Sequence, residues 1–169
     1  YRLTVPRHRV TPPDWPAGLR LKVALIADVH ACNPWMGIAR IEEIVARTNA
    51  LQPDLTLLLG DYSAGMSRFV TSDVLSRDWA PILAQLQAPL GRFAVLGNHD
   101  WWEDKTAQMR GSGPTFGQRA LETAGVPVLE NTALRLRKDG HGFWLAGLGD
   151  QLALLPHRKY GRSSWRGRD

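Results

Sequence analysis

Three short apolar runs in this chain each end in groups that can hold a cation. Val23-Ala24-Leu25-Ile26-Ala27 runs into Asp28-Val29-His30, and Leu55-Thr56-Leu57-Leu58-Leu59 runs into Gly60-Asp61-Tyr62. Phe93-Ala94-Val95-Leu96 runs into Gly97-Asn98-His99-Asp100. Each run reads as a buried strand closed by a turn signal. Carboxylate, imidazole and amide oxygen make a mixed donor set without thiolate, which suits Mn, Fe or Zn and selects none of them. In open α/β sheets, ligands bind beyond the carboxyl ends of the strands, where these groups fall. On a strand, Asp28 and His30 would share a face. Asp61 has two carboxylate oxygens and could bridge two ions; ions about 3.5–4 Å apart can activate water for attack at phosphorus. His99 could protonate a departing alkoxide, with Asp100 orienting its ring.

The elements that must carry these groups follow from periodicity. The first strand is expected over residues 20–27. From Gly37 to Leu51, Ile38, Ile41, Ile44, Val45 and Leu51 fall on one helical face, with Arg40, Glu42, Glu43 and Arg47 elsewhere. Pro53-Asp54 ends that helix. Residues 63–72 read as a loop. Asp73 to Gln87 reads as a second helix buried along Trp79, Ile82, Leu83 and Leu86. After the third strand, a loop with Gly111, Gly113 and Pro114 leads to a helix over 115–124 that Gly125 stops. Strands are expected at 126–129, 133–137 and 143–148, the last two flanking the hairpin signal Lys138-Asp139-Gly140. Alternating strands and helices predict a parallel α/β core followed by an antiparallel stretch.

The chain divides into an extended, proline-rich lead-in over 1–19, with a short edge strand expected at Tyr1–Val5, a domain over 20–155 and a basic tail over 156–169. Its 169 residues are enough for one domain with a real core. A net charge of +5 suits an anionic substrate, a nucleic acid or an anionic membrane surface and does not choose among them. Arg158, Lys159, Arg162, Arg166 and Arg168 concentrate part of that charge, yet they lack the aromatic interleaving of a nucleic-acid stacking platform. Cys32 is the only cysteine, so an intrachain disulfide is excluded. No run approaches transmembrane length. A start at Tyr1 and the basic ending suggest a piece of a longer protein.

Asp28-x-His30, Gly60-Asp61 and Gly97-Asn98-His99-Asp100, in that order, resemble the calcineurin-like metallophosphoesterases. Asp28-Val29-His30, Gly60-Asp61-Tyr62 and Gly147-Leu148-Gly149-Asp150 look most like the bacterial membrane-associated phosphodiesterase branch. The resemblance covers roughly residues 20–155 and implies a four-layer α/β/β/α sandwich around a dinuclear site, incomplete at its C-terminus. It implies that Asp28 and His30 bind the first metal, Asp61 bridges, and Asn98 binds the second. His99 would be the general acid or stabilise transition-state charge, with Asp100 as its partner. The implied activity is metal-dependent phosphoester hydrolysis on a lipid-linked or nucleotide substrate, at the bacterial membrane or in the cytoplasm. The family's later histidine and its Gly-His-x-His motif are missing: Gly140-His141 continues as Gly142-Phe143, and His157 lies in the tail. The chain alone is therefore expected to bind metal weakly and to be inactive or nearly so.

Plainer readings stand beside these. Asp28 or Asp61 could each be a turn former or helix cap, and His99 a structural histidine. Trp35, Trp101 and Trp102 could wall a substrate pocket or simply pack. Cys32 reads as a partly buried thiol, Asp150 as a loop former, and His8, His141 and His157 as surface histidines. The alternative function is a non-catalytic binding module on the same scaffold.

Overall fold

The computed structural model describes residues 2–64 and 72–154. In chain order its elements are β1 (Val23–Ile26), β2 (Cys32–Asn33), α1 (Ile38–Ala50), β3 (Leu55–Leu58), β4 (Ser72–Asp73), α2 (Ser76–Leu83), β5 (Arg92–Ala94), α3 (Asn98–Trp102), α4 (Lys105–Arg110), α5 (Phe116–Thr123), β6 (Thr132–Lys138) and β7 (His141–Gly147).

The expected α/β core is present. β1, β3 and β5 form a parallel sheet in that order. Their register sets Leu58 opposite both Ile26 and Ala94, so the strands finish in step and their tips leave at one edge. Ile26, Leu58 and Ala94 face the helices and join Ile41 and Val45 of α1, Trp79, Ile82 and Leu83 of α2, Leu86 and Leu121 in one core. The whole stripe predicted along the second helix is buried there. Each such large apolar side chain contributes about 1.5–3 kcal/mol on burial.

β6 and β7 form the predicted hairpin, paired from Lys138↔His141 to Thr132↔Gly147. Asp139 and Gly140 make its two-residue turn with φ of 50° and 81°, the left-handed pair that matches strand twist. Lys138 fastens the turn end by donating to the Arg20 carbonyl and to Asp54 Oδ2. Burial works to raise the Asp54 carboxyl, but the Lys22 main-chain N–H and Lys138 outweigh it and hold it below its usual range. Of the four expected layers, the described residues supply helices on the parallel sheet, and this hairpin as a separate two-stranded sheet.

Several boundaries differ from the sequence expectation. Residues 2–5 adopt no strand. The second helix begins at Ser76, because Ser72 and Asp73 pair with Asn33 and Cys32 instead. It stops at Leu83, and downstream the Gln87 N–H goes to the side chain of Asn49. The expected strand at 126–129 shrinks to a bridge between Ala94 and Val128, since Pro127 has no N–H to donate. α3 and α4 occupy what read as loop; Asp104 caps α4 by accepting from the Ala107 N–H. His157 and the arginine-rich tail lie outside the described residues.

Candidate metal centre

The first two strand tips are joined by main-chain hydrogen bonds that outlast the sheet. Asp28 donates to the Gly60 carbonyl, His30 to that of Asp61 and Ala31 to that of Tyr62. This pairing forces an unusual backbone. Asp28, His30 and Asp61 have φ of 54°, 43° and 55°. Left-handed conformations are uncommon outside glycine and carry strain, and such residues concentrate at functional sites. The shared orientation of Asp28 and His30 therefore does not come from strand alternation, as expected. β1 ends at Ile26, and two left-handed turns aim the side chains instead.

Asp100 holds the second tip in shape. Its Oδ2 accepts from the main-chain N–H of Asp61 at 2.8 Å and of Gly97 at 3.0 Å. Its Oδ1 accepts from Tyr62 at 2.9 Å and Ser63 at 3.1 Å. The left-handed Asp61 curls consecutive amides into an anion-binding concavity, and the buried carboxylate fills it. The expected pairing of Asp100 with the His99 ring is thus not what its oxygens do. Adjacent residues on a helix point about 100° apart, and four amides claim the carboxylate first.

Burial raises the Asp100 carboxyl from 3.8 to about 6, against the lowering effect of the amides. A folded value above the unfolded one gives stability that is complete below about pH 4 and lost as the pH rises through about 6. Urea unfolding between pH 4 and 7 should show this fall, and Asp100→Asn should flatten that part of the curve.

The tips bring three candidate ligands together. One donor atom each from Asp28, His30 and Asp61 lies within 4.8 Å of the other two. His30 Nδ1 lies 3.1 Å from the Ser63 carbonyl, which can only accept, so the proton sits on Nδ1. The Nε2 lone pair is then left facing Asp28 Oδ1 at 3.9 Å and Asp61 Oδ2 at 4.0 Å. Metal bonds of about 2.0–2.2 Å allow two ligands of one ion to stand up to about 4.4 Å apart, so these spacings fit a divalent cation. A ring nitrogen fixed by a carbonyl on its far side is the usual state of a metal-binding histidine.

Asp61 Oδ1 accepts from the His99 N–H at 2.9 Å, tying the second tip to the third. Asn98 opens α3 next to that bond. The His99 ring stands edge-on to His30 with centroids 5.0 Å apart, and to Trp102 at 5.2 Å. Trp102 thus borders the site, whereas Trp101 is wholly buried and packs in the core. Trp35 is exposed. Cys32 is a buried free thiol, and Asp150 accepts from the Leu152 N–H in a local turn.

A family model for calcineurin-like phosphoesterases matches residues 21–163. The chain belongs to the calcineurin-like phosphoesterase family. It is similar to a Bos taurus transmembrane protein with metallophosphoesterase domain, 29% identical over 153 residues, which is 90% of this chain and 32% of that protein. An uncharacterized metallophosphoesterase of Aquifex aeolicus is 32% identical over 102 residues, 60% of this chain and 36% of its own length. A UDP-2,3-diacylglucosamine pyrophosphatase of Chlamydia muridarum is 33% identical over 81 residues, 48% of this chain and 23% of that enzyme. The chain spans about a third or less of the first three curated relatives' length. No solved structure matches it significantly.

Within this calcineurin-like site, sequence reading missed Ser63 and Tyr62. Ser63 acts through its main chain, carbonyl to His30 and N–H to Asp100, and a main-chain role leaves no side-chain signature. Tyr62 donates its hydroxyl to the Val95 carbonyl and stacks on Trp79, locking the second tip to the third strand. The glycines matter because the tips touch through bare backbone. A methyl carbon at Gly97 would fall on the Asp61 carboxylate, with Cγ at 2.7 Å and the Asp61 nitrogen at 2.8 Å. Gly97→Ala is therefore expected to cost about 3 kcal/mol in urea unfolding, at the upper end for overpacking, and to weaken metal binding. Gly111→Ala, which meets nothing within 4 Å, bears only the strain of its φ of 65° and should cost about 1 kcal/mol.

Proposed function

We propose that this chain carries metal-dependent phosphoester hydrolysis, with Asp28, His30 and Asp61 holding one divalent ion and Asp61 and Asn98 a second. The observation that carries this reading is the His30 Nε2 lone pair meeting two carboxylates at 3.9 and 4.0 Å. Mn, Fe or Zn suits that donor set. When bound, such ions polarise phosphoryl oxygens and activate water for in-line attack. The chain's own groups do the rest. The Ser63 carbonyl keeps His30 in its ligating tautomer, and the His99 N–H keeps one Asp61 oxygen in place. The His99 imidazole, between His30 and Trp102, gives a proton to the leaving oxygen. The relative that is named for a pyrophosphatase acting on an acylated UDP-sugar supports a lipid-linked or nucleotide substrate, and a peripheral membrane contact goes with it. No helix among the described residues is long and apolar enough to cross a membrane.

Asp28, His30 and Asp61 are the one group of three acidic, histidine or cysteine ligands among the described residues. The second ion would have only Asp61 and Asn98, so this chain by itself should take up one equivalent of Mn well before another and turn over slowly. That imbalance also favours a second reading, a binding module that holds metal without chemistry. Hydrolysis of a chromogenic phosphodiester with added Mn decides between them. Turnover abolished by a chelator and restored by Mn supports the enzyme. Mn bound at the site without hydrolysis of mono- or diesters supports the module, and turnover indifferent to chelator overturns both.

A further inference from the structure

We infer that Glu103, not Asp100, is the positioning residue for the His99 imidazole. The kinetic half of this inference rests on the phosphoesterase reading; the geometric half does not. Asp100 has both oxygens committed to four main-chain amides. His99 Nδ1 is buried and makes no hydrogen bond. The carboxylate facing it is Glu103, whose Oε1 lies 3.9 Å away, four residues on. Residues four apart share a helix face, and α3 ends where Glu103 caps it.

Two features turn this proximity into a role. The ring has little freedom of tilt: it is edge-on to His30 at 81° and to Trp102 at 67°, and the residue's main-chain N–H is tied to Asp61. What is left undetermined is which nitrogen carries the proton. Glu103 has room to settle that. Its side chain is 44% exposed, so it is not pinned by packing and a change of rotamer can bring its carboxylate the last ångström to hydrogen-bond distance. A carboxylate accepting from Nδ1–H fixes the ring's orientation and leaves Nε2 as the nitrogen that faces a reacting oxygen. As the imidazolium, whose charge the carboxylate balances, the ring carries on Nε2 the proton it gives to the leaving oxygen and returns to the Nδ1–H form.

The imidazole nitrogen shifts of ¹⁵N-histidine-labelled, metal-free protein at pH 8 test this directly. His99 is expected as the Nδ1–H tautomer in the wild type and in Glu103→Gln, whose amide oxygen still accepts. Glu103→Leu should convert it to a mixture or to Nε2–H. A wild-type His99 that is Nε2–H, or a tautomer unchanged in Glu103→Leu, overturns the inference. In turnover assays Glu103→Leu should lower kcat about 10-fold with KM unchanged, more for poor leaving groups than good ones, with Gln restoring most of the loss. Equal losses for all leaving groups, or a loss confined to KM, also overturn it. Should the protein hydrolyse no phosphoester, the tautomer measurement alone decides, so failure of the activity and failure of Glu103's role are separable.

Discussion

Asp61→Asn is expected to lower kcat/KM for phosphodiester hydrolysis on the order of 10³-fold, the scale seen when a preorganised electrostatic anchor is removed. The reason lies in how many elements meet on this one carboxylate. Its Oδ2 faces the His30 lone pair at 4.0 Å, while its Oδ1 accepts the His99 N–H at 2.9 Å. Asparagine keeps the size and can keep the second contact through its amide oxygen. It loses the negative charge, and its amide hydrogens would face the place proposed for the cation. Thermal unfolding should therefore stay near wild type while Mn affinity by calorimetry falls with the activity. Asp28→Asn should cost less, because Asp28 is the most exposed of the three proposed ligands, its side chain 69% accessible. Wild-type Mn affinity in Asp61→Asn would remove Asp61 from the centre and the proposed chemistry with it.

The second large effect is on the scaffold. Asp100→Ala is expected to destabilise the fold by about 3–5 kcal/mol in urea unfolding. Four amides lose their acceptor at once, and each buried, unpaired N–H costs about 1–3 kcal/mol. The sum is capped because the Asp61–Ser63 turn can relax and admit water. That relaxation is what would harm the site. Without the carboxylate the left-handed Asp61 loses the acceptor of its own N–H, and Ser63, its N–H also released, is freer to withdraw its carbonyl from His30. Mn affinity should drop about 10–100-fold, as for the loss of a group that orients a ligand. Asp100→Asn should fall between, since its amide offers one oxygen to two of the donors and turns hydrogens toward the rest. A cost below about 1 kcal/mol for the alanine variant would mean that the turn holds itself without the clamp.

Much of this was legible in the chain before any coordinates. Apolar runs separated by helix-length amphipathic spacers dictate parallel strands, because only a crossover helix can return the chain to the same sheet edge. Asp28, His30, Asp61 and Asn98 stand directly after those runs, so their arrival at one edge followed from the alternation. The stripe of Trp79, Ile82, Leu83 and Leu86, and the Asp139-Gly140 turn, were equally local signals.

Other features depended on contacts far apart in sequence, and no local pattern carries them. Asp100 next to His99 reads as its partner, yet Asp100 spends its oxygens on amides 37 to 39 residues away as well as on nearby Gly97. Trp101 and Trp102 are indistinguishable as neighbours; a helix start at Asn98 turns one into the core and the other toward His99. The left-handed turns at Asp28, His30 and Asp61 arise only when two strand tips pair past the end of their sheet. Side-chain type and spacing are properties of a short stretch and so announce the chemistry. Which donor each carboxylate meets is settled by the packing of loops against one another, because a buried amide must find its acceptor wherever the fold puts one.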